Sequence, residues 1–142
     1  MTGKVKLSII GLQKDPDGVN EPMETKQTVE ADAYEKNGKQ YFTWTETDAE
    51  GKNETGCRLK IAEAEMSLHK NGPIPSKMTF HAGQSIDTYY VTPYGQFPME
   101  VDTKALGIET KENYMEVQAS YTLTTSGTPL SVNELRLTAE CL

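Results

Sequence analysis

Apolar residues in this chain recur at every second position in short runs, and no stretch adopts the three-and-four spacing of a helix. Val5, Leu7 and Ile9 alternate with Lys4, Lys6 and Ser8, predicting a first strand that stops near Gly11. A second strand spans about Met23 to Glu35, with Val29, Ala31 and Ala33 on one face, and Asn37-Gly38 turns it into a third. That third strand, Tyr41 to Thr47, is aromatic and Thr-rich, and it puts Phe42, Trp44 and Glu46 on the same side.

Thr55, Cys57, Leu59 and Ile61 continue the alternation, Met66 and Leu68 follow after a bend or bulge near Ala62 to Ala64, and Met78 and Phe80 form a short strand. Ile86 to Val101 reads as a hairpin about Pro93-Tyr94-Gly95-Gln96. Thr103 to Glu112 suits a frayed strand and a single helical turn equally well. Met115, Val117, Ala119, Tyr121 and Leu123 give the longest clean period-two run, and after Ser126-Gly127 a last strand carries Leu135, Leu137, Ala139 and Cys141.

Connections this short leave no room for crossover helices. The pattern therefore predicts an all-β fold, an antiparallel meander of about eight to ten strands in one domain over residues 1–142. Closure into a barrel removes exposed edges and gives each strand one wet and one dry face.

Composition narrows the function. With 14 Lys and Arg against 21 Asp and Glu the net charge is −7, and the basic residues are scattered singly, which argues against nucleic acid and membrane surfaces as partners. There is no leader-like N-terminus and no long apolar segment, so the expected location is cytoplasmic. Cys57 and Cys141 are the only cysteines and read as reduced thiols.

Catalytic and cofactor signatures do not emerge. His69 and His81 fall out of phase with Leu68 and Phe80 and should face solvent, which leaves no metal set and no nucleophile paired with an oriented base. The glycines stand singly at turns, with no phosphate-cradling run. The expectation is a protein that is not an enzyme and needs neither cofactor nor metal.

The run from Tyr34 to Ile61, with Asn37-Gly38, Tyr41 to Glu46 and Arg58-Leu59-Lys60-Ile61, followed by Met78-Thr79-Phe80, Tyr94-Gly95 and Val117 to Leu123, resembles the YwiB-like bacterial family of unknown function. The resemblance implies a calycin-like, lipocalin-like β-barrel and no particular chemistry. Where an Arg before a turn glycine is expected in that family, this chain has Lys70-Asn71-Gly72, which keeps the charge but loses bidentate anion recognition.

Two partner readings follow. In the first, the barrel interior takes a small, mostly apolar molecule against Phe42, Trp44, Met78 and Tyr121, oriented by Glu46. A carboxylate on an aromatic face needs a partner, and the Tyr121 hydroxyl is one candidate. The plainer alternative puts Glu46 at the barrel mouth, solvated or bonded to a neighbouring strand, inside a barrel filled by its own side chains. In the second reading Tyr89, Tyr90 and Tyr94, with Phe97 nearby, form an outer aromatic patch for another protein or for a homodimer.

Overall fold

The computed structural model describes all residues from Met1 to Leu142. It contains ten strands: β1 (Gly3–Lys14), β2 (Met23–Lys36), β3 (Lys39–Thr47), β4 (Glu54–Ala62), β5 (Glu65–Asn71), β6 (Ser76–His81), β7 (Ser85–Thr92), β8 (Gly95–Lys111), β9 (Tyr114–Thr125) and β10 (Thr128–Cys141). All pairings are antiparallel. The sheet order is β6-β5-β4-β3-β2-β1-β10-β9-β8-β7, so the chain is a meander whose first and last strands pair. No helix is long and apolar enough to cross a membrane.

Turn chemistry sets several of these joints. Asn37 and Gly38 take φ of 53° and 75°, and Ser126 and Gly127 take 48° and 79°. These left-handed pairs match the right-handed twist of the strands they join.

Three local expectations are corrected. β1 does not stop near Gly11 but pairs with β10 as far as Lys14. The irregularity at Ala62 to Ala64 is no bulge within a strand; Ala62 pairs with Glu65, so Glu63 and Ala64 are a tight hairpin turn. Thr103 to Glu112 holds no helical turn, because β8 runs to Lys111 with a register shift between Thr103 and Ala105. In each case cross-strand hydrogen bonding decided what a short, weakly patterned segment could not.

The sheet curls until its end strands β6 and β7 approach, nearly closing a barrel. They share no ladder; the Thr88 hydroxyl donates to the Lys77 carbonyl across the seam, and Thr103 exchanges backbone hydrogen bonds with Gly83 and Gln84 beside it. One inward face carries a core of 17 buried apolar residues.

That core is uneven along the barrel axis. At the end holding the Asn37-Gly38 turn, Val5, Leu7, Ala33, Phe42, Ile61, Met66, Val117 and Ala139 are fully covered or nearly so. Gln40 helps to plug this end, its side-chain amide donating to the carbonyls of Met1, Tyr34 and Tyr41. Leu106, Ile108 and Cys141 are exceptions there, only partly covered. Toward the opposite end the inward residues Ile9, Val29, Leu68, Met78, Tyr121, Leu123 and Leu135 pack on the core yet stay partly exposed. The barrel is thus a cup whose upper part is less completely covered than its floor, although Val101, Thr103, Ser131 and Asn133 stay buried there.

Candidate functional site

The open end is where the connections β1–β2, β3–β4, β5–β6, β7–β8 and β9–β10 lie, as the alternating strand directions require. Glu46 sits one residue before the end of β3, on the inward parity of Phe42 and Trp44. Three side chains converge on it. Gln27 Nε2 donates to Oε1 at 2.7 Å, Trp44 Nε1 donates to the same oxygen at 3.2 Å, and Lys70 Nζ lies 3.4 Å from Oε1 and 3.3 Å from Oε2.

The Gln27 contact bridges a gap. The ladder between β2 and β3 covers only Asp32 to Lys36 against Lys39 to Thr43; above Asp32 and Thr43 the two strands part. Gln27 and Glu46 join them by side chains where backbone pairing has ended. On the outer face of the sheet at this level, and not inside the barrel, a cleft of about 540 Å³ is lined mainly by Glu30, Asp32, Thr43, Thr45, Arg58 and His69, whose parity is opposite to that of Phe42, Trp44 and Glu46.

Burial pushes the Glu46 carboxyl upward, but the hydrogen bonds from Gln27 and Trp44 and the Lys70 charge outweigh it, so the group titrates below the ordinary value. Cys57, opposite both Trp44 and Lys70 in the ladders, feels the reverse: burial and the Glu46 charge push its thiol up to about 11. Such a thiol stays protonated at neutral pH and makes a poor nucleophile.

Glu46 also lines a recess of about 300 Å³ at the cup's rim, with Thr47, Asp48, Asn53, Thr55, Pro73 and Ile74. Gly72 holds the β5–β6 connection against this wall. A Cβ there would lie 2.5 Å from Thr55 Oγ1 and 3.1 Å from Thr55 Cα, so only glycine permits the approach.

The remaining candidates are spread along the cup. Phe42 is fully buried at its floor and Trp44 is 7% exposed above it, while Met78 is half-buried on β6. Tyr121 does not hydrogen-bond to Glu46: its ring packs edge-on against Phe80, with centroids 4.8 Å apart, and burial raises its hydroxyl. The strands carrying these two residues lie on opposite sides of the sheet order, which sequence could not disclose. Sequence reading also missed Gln27, although its parity with Val29 and Ala31 puts it on the inward face, and it set Lys70 aside as a weak anion ligand.

Polar side chains continue around the interior. Asn133 donates to the Ser131 hydroxyl, both being buried, and Thr103 Oγ1 is buried without a hydrogen-bond partner.

The aromatic hairpin splits between two faces. Tyr90 pairs with Phe97 on the parity of Thr88 and Met99, which turns inward lower down, whereas Tyr89 pairs with Pro98 on the other face. Tyr89, Tyr90, Tyr94 and Phe97 are all more than half exposed or at that limit, Tyr94 at 93%. Tyr90 and Phe97 therefore stand above the mouth on the same face as the interior lining.

A family model described as Domain of unknown function (DUF1934) matches residues 8–137. Among solved structures, the crystal structure of the ywiB protein from Bacillus subtilis is similar, with a TM-score of 0.78 at 20% identity, covering 97% of this chain and 91% of that one. This likeness bears on fold alone, and it agrees with the YwiB-like resemblance in the sequence. No curated protein matches the chain.

Proposed function

The chain belongs to the DUF1934 family, a domain of unknown function with a barrel fold, and from that premise we propose that it is a non-enzymatic, cytoplasmic binding module whose cup holds a small molecule. The mainly apolar body of the ligand rests on Met78, Tyr121 and their neighbours, Phe42 and Trp44 form the floor, and Glu46 orients its polar end.

One observation supports this above the rest. Ile9, Val29, Leu68, Met78, Leu123 and Leu135 have inward parity but are left partly uncovered. A barrel completed by its own side chains would cover them, since the exposed fraction of each still forgoes a share of the roughly 1.5–3 kcal/mol that full burial of such a side chain is worth. A ligand seated in the cup recovers that gain. The thiol in this site does not favour catalysis: Cys57 donates to the Thr55 carbonyl and is pushed up to about 11 by burial and the Glu46 charge, which leaves it a poor nucleophile.

Native mass spectrometry of protein purified gently from its source tests the reading. The expected result is a mass above that of the bare chain that is lost on denaturation. A bare chain whose Trp44 emission is also indifferent to apolar probes would sink it.

A second reading rests on a different observation. β7 is a terminal strand of the sheet, paired only with β8, and it carries exposed Tyr89 and Tyr90 beside Tyr94 and Phe97. The edge of β7 faces β6 as far as Thr88, whose hydroxyl bonds the Lys77 carbonyl, and beyond it the segment with Tyr89 and Tyr90 suits contact with a second copy of the chain. Light scattering after size exclusion decides it: a dimer supports self-association, and a monomer at high concentration removes it.

A further inference from the structure

Resting on the reading that the cup binds a ligand, we infer that the polar end of that ligand is a hydrogen-bond donor, an ammonium or a hydroxyl, and not a carboxylate. The argument is an accounting of donors and acceptors at Glu46.

A carboxylate offers about four acceptor positions on its two oxygens. Oε1 of Glu46 takes the Gln27 amide, the Trp44 indole and one approach of Lys70, while Oε2 has Lys70 as its one close partner, at 3.3 Å, and the Cys57 thiol is the other, weak donor beside the carboxylate. The unfilled capacity at this site is therefore acceptor capacity on Oε2. The donors run the other way, since Gln27, Trp44 and Lys70 all point at Glu46. Lys70, the one cation among them, is already neutralised.

An incoming carboxylate could use only what remains of the Lys70 ammonium, and there it would sit beside the Glu46 charge. Like charges at such separations disfavour each other strongly once partly removed from water. Glu46 is 26% and Lys70 32% exposed, so neither charge is fully screened by solvent.

The surroundings have the same sign. The connections above the mouth carry Asp15, Asp17, Glu21, Asp48 and Glu50 against Lys52, in a chain of net charge −7. This field draws cations toward the opening and turns anions away. The recess beside Glu46 is bordered by Asp48 and Asn53, and the Asp48 side chain accepts from Lys52 N and Asn53 Nδ2, so that wall also presents oxygens.

Trp44 is the only tryptophan and its indole N–H is bonded to Glu46, so intrinsic fluorescence reports on this site directly. The test titrates the whole chain at pH 7.5 with three probes that share one tail: decylamine, decanol and decanoate. The expected result is a shift in Trp44 emission at tenfold or more lower concentration for the amine, and at lower concentration for the alcohol, than for the carboxylate. Glu46→Gln should erase the preference for the amine over the alcohol, and Lys70→Met, which frees the carboxylate, should increase it several-fold.

Decanoate binding as well as or better than the amine overturns the donor inference and leaves interior binding intact. Equal amine binding by wild type, Glu46→Gln and Lys70→Met means adsorption to the acidic surface and also overturns it. Silence from all three probes, with a bare mass in native spectrometry, overturns the binding reading itself. Should Glu46→Gln fail to fold, the Lys70→Met comparison still decides the sign.

Discussion

Lys70 and Glu46 meet across an intervening strand: Lys70 Nζ lies 3.3 Å from Glu46 Oε2, although β5 and β3 each pair with β4 and not with each other. On the ladder Lys70 stands opposite Cys57, and Glu46 stands opposite Thr55. The contact is thus a diagonal over β4, made possible because neither Cys57 nor Thr55 is bulky enough to block it. With the Gln27 bond it ties β2, β3 and β5 together at the rim.

The pH dependence of stability should follow from this contact. Glu46 titrates below its ordinary value in the folded chain, so the stability it contributes is present above the unfolded carboxyl range near pH 4.5 and is lost as pH falls through the lower folded value. Lys70→Met should flatten that part of the curve and cost on the order of 1 kcal/mol at pH 7. Urea unfolding of both proteins between pH 3 and 7 measures it. Parallel curves would mean that Lys70 adds nothing to the Glu46 shift.

The two ends of the barrel should differ in what a truncation costs. Phe42→Ala, in the fully buried floor, should cost about 3–5 kcal/mol, whereas Met78→Ala, near the open end, should cost under about 2 kcal/mol because water or a ligand can fill the space. Chemical denaturation gives both values. Equal losses would argue that the upper half is packed as tightly as the lower.

Gly72→Ala should disturb the rim. Its new Cβ meets Thr55 backbone and side chain, so the β5–β6 connection must move off β4, at about 1–3 kcal/mol. Gly56→Ala is the control, since its Cβ would meet only the Asn71 carbonyl oxygen at 3.9 Å. A changed Trp44 emission in the first variant and not in the second is the expected pattern.

Tyr90→Ala and Tyr94→Ala should change stability by less than about 0.5 kcal/mol, because both side chains are exposed. If the hairpin is a self-association surface, both variants should shift a dimer toward monomer in light scattering. Because Tyr90 shares the inward-turning face and Tyr94 lies in the turn, an effect on probe binding from Tyr90→Ala alone would assign Tyr90 to the mouth.

Much of this architecture was legible as alternation. A strand's side chains switch sides with every residue, so Phe42, Trp44 and Glu46 had to share a face, as did Met115 through Leu123, whatever lay beside them. Asn37-Gly38 announced its turn because few other pairs accept two positive φ values. These are local rules, written in neighbouring residues.

The partners of Glu46 obey no local rule. Gln27 and Lys70 lie 19 and 24 residues away along the chain, and they reach it only because β2 parts from β3 above Asp32 and the sheet curves toward its own edge. How far a ladder runs before twist separates two strands, and which side chains then lean across the gap, depends on the whole sheet at once. Sequence by itself determined which face each residue takes; only the tertiary structure decided that one end of the cup is covered more completely than the other, because coverage is a property of every strand's length and curvature together.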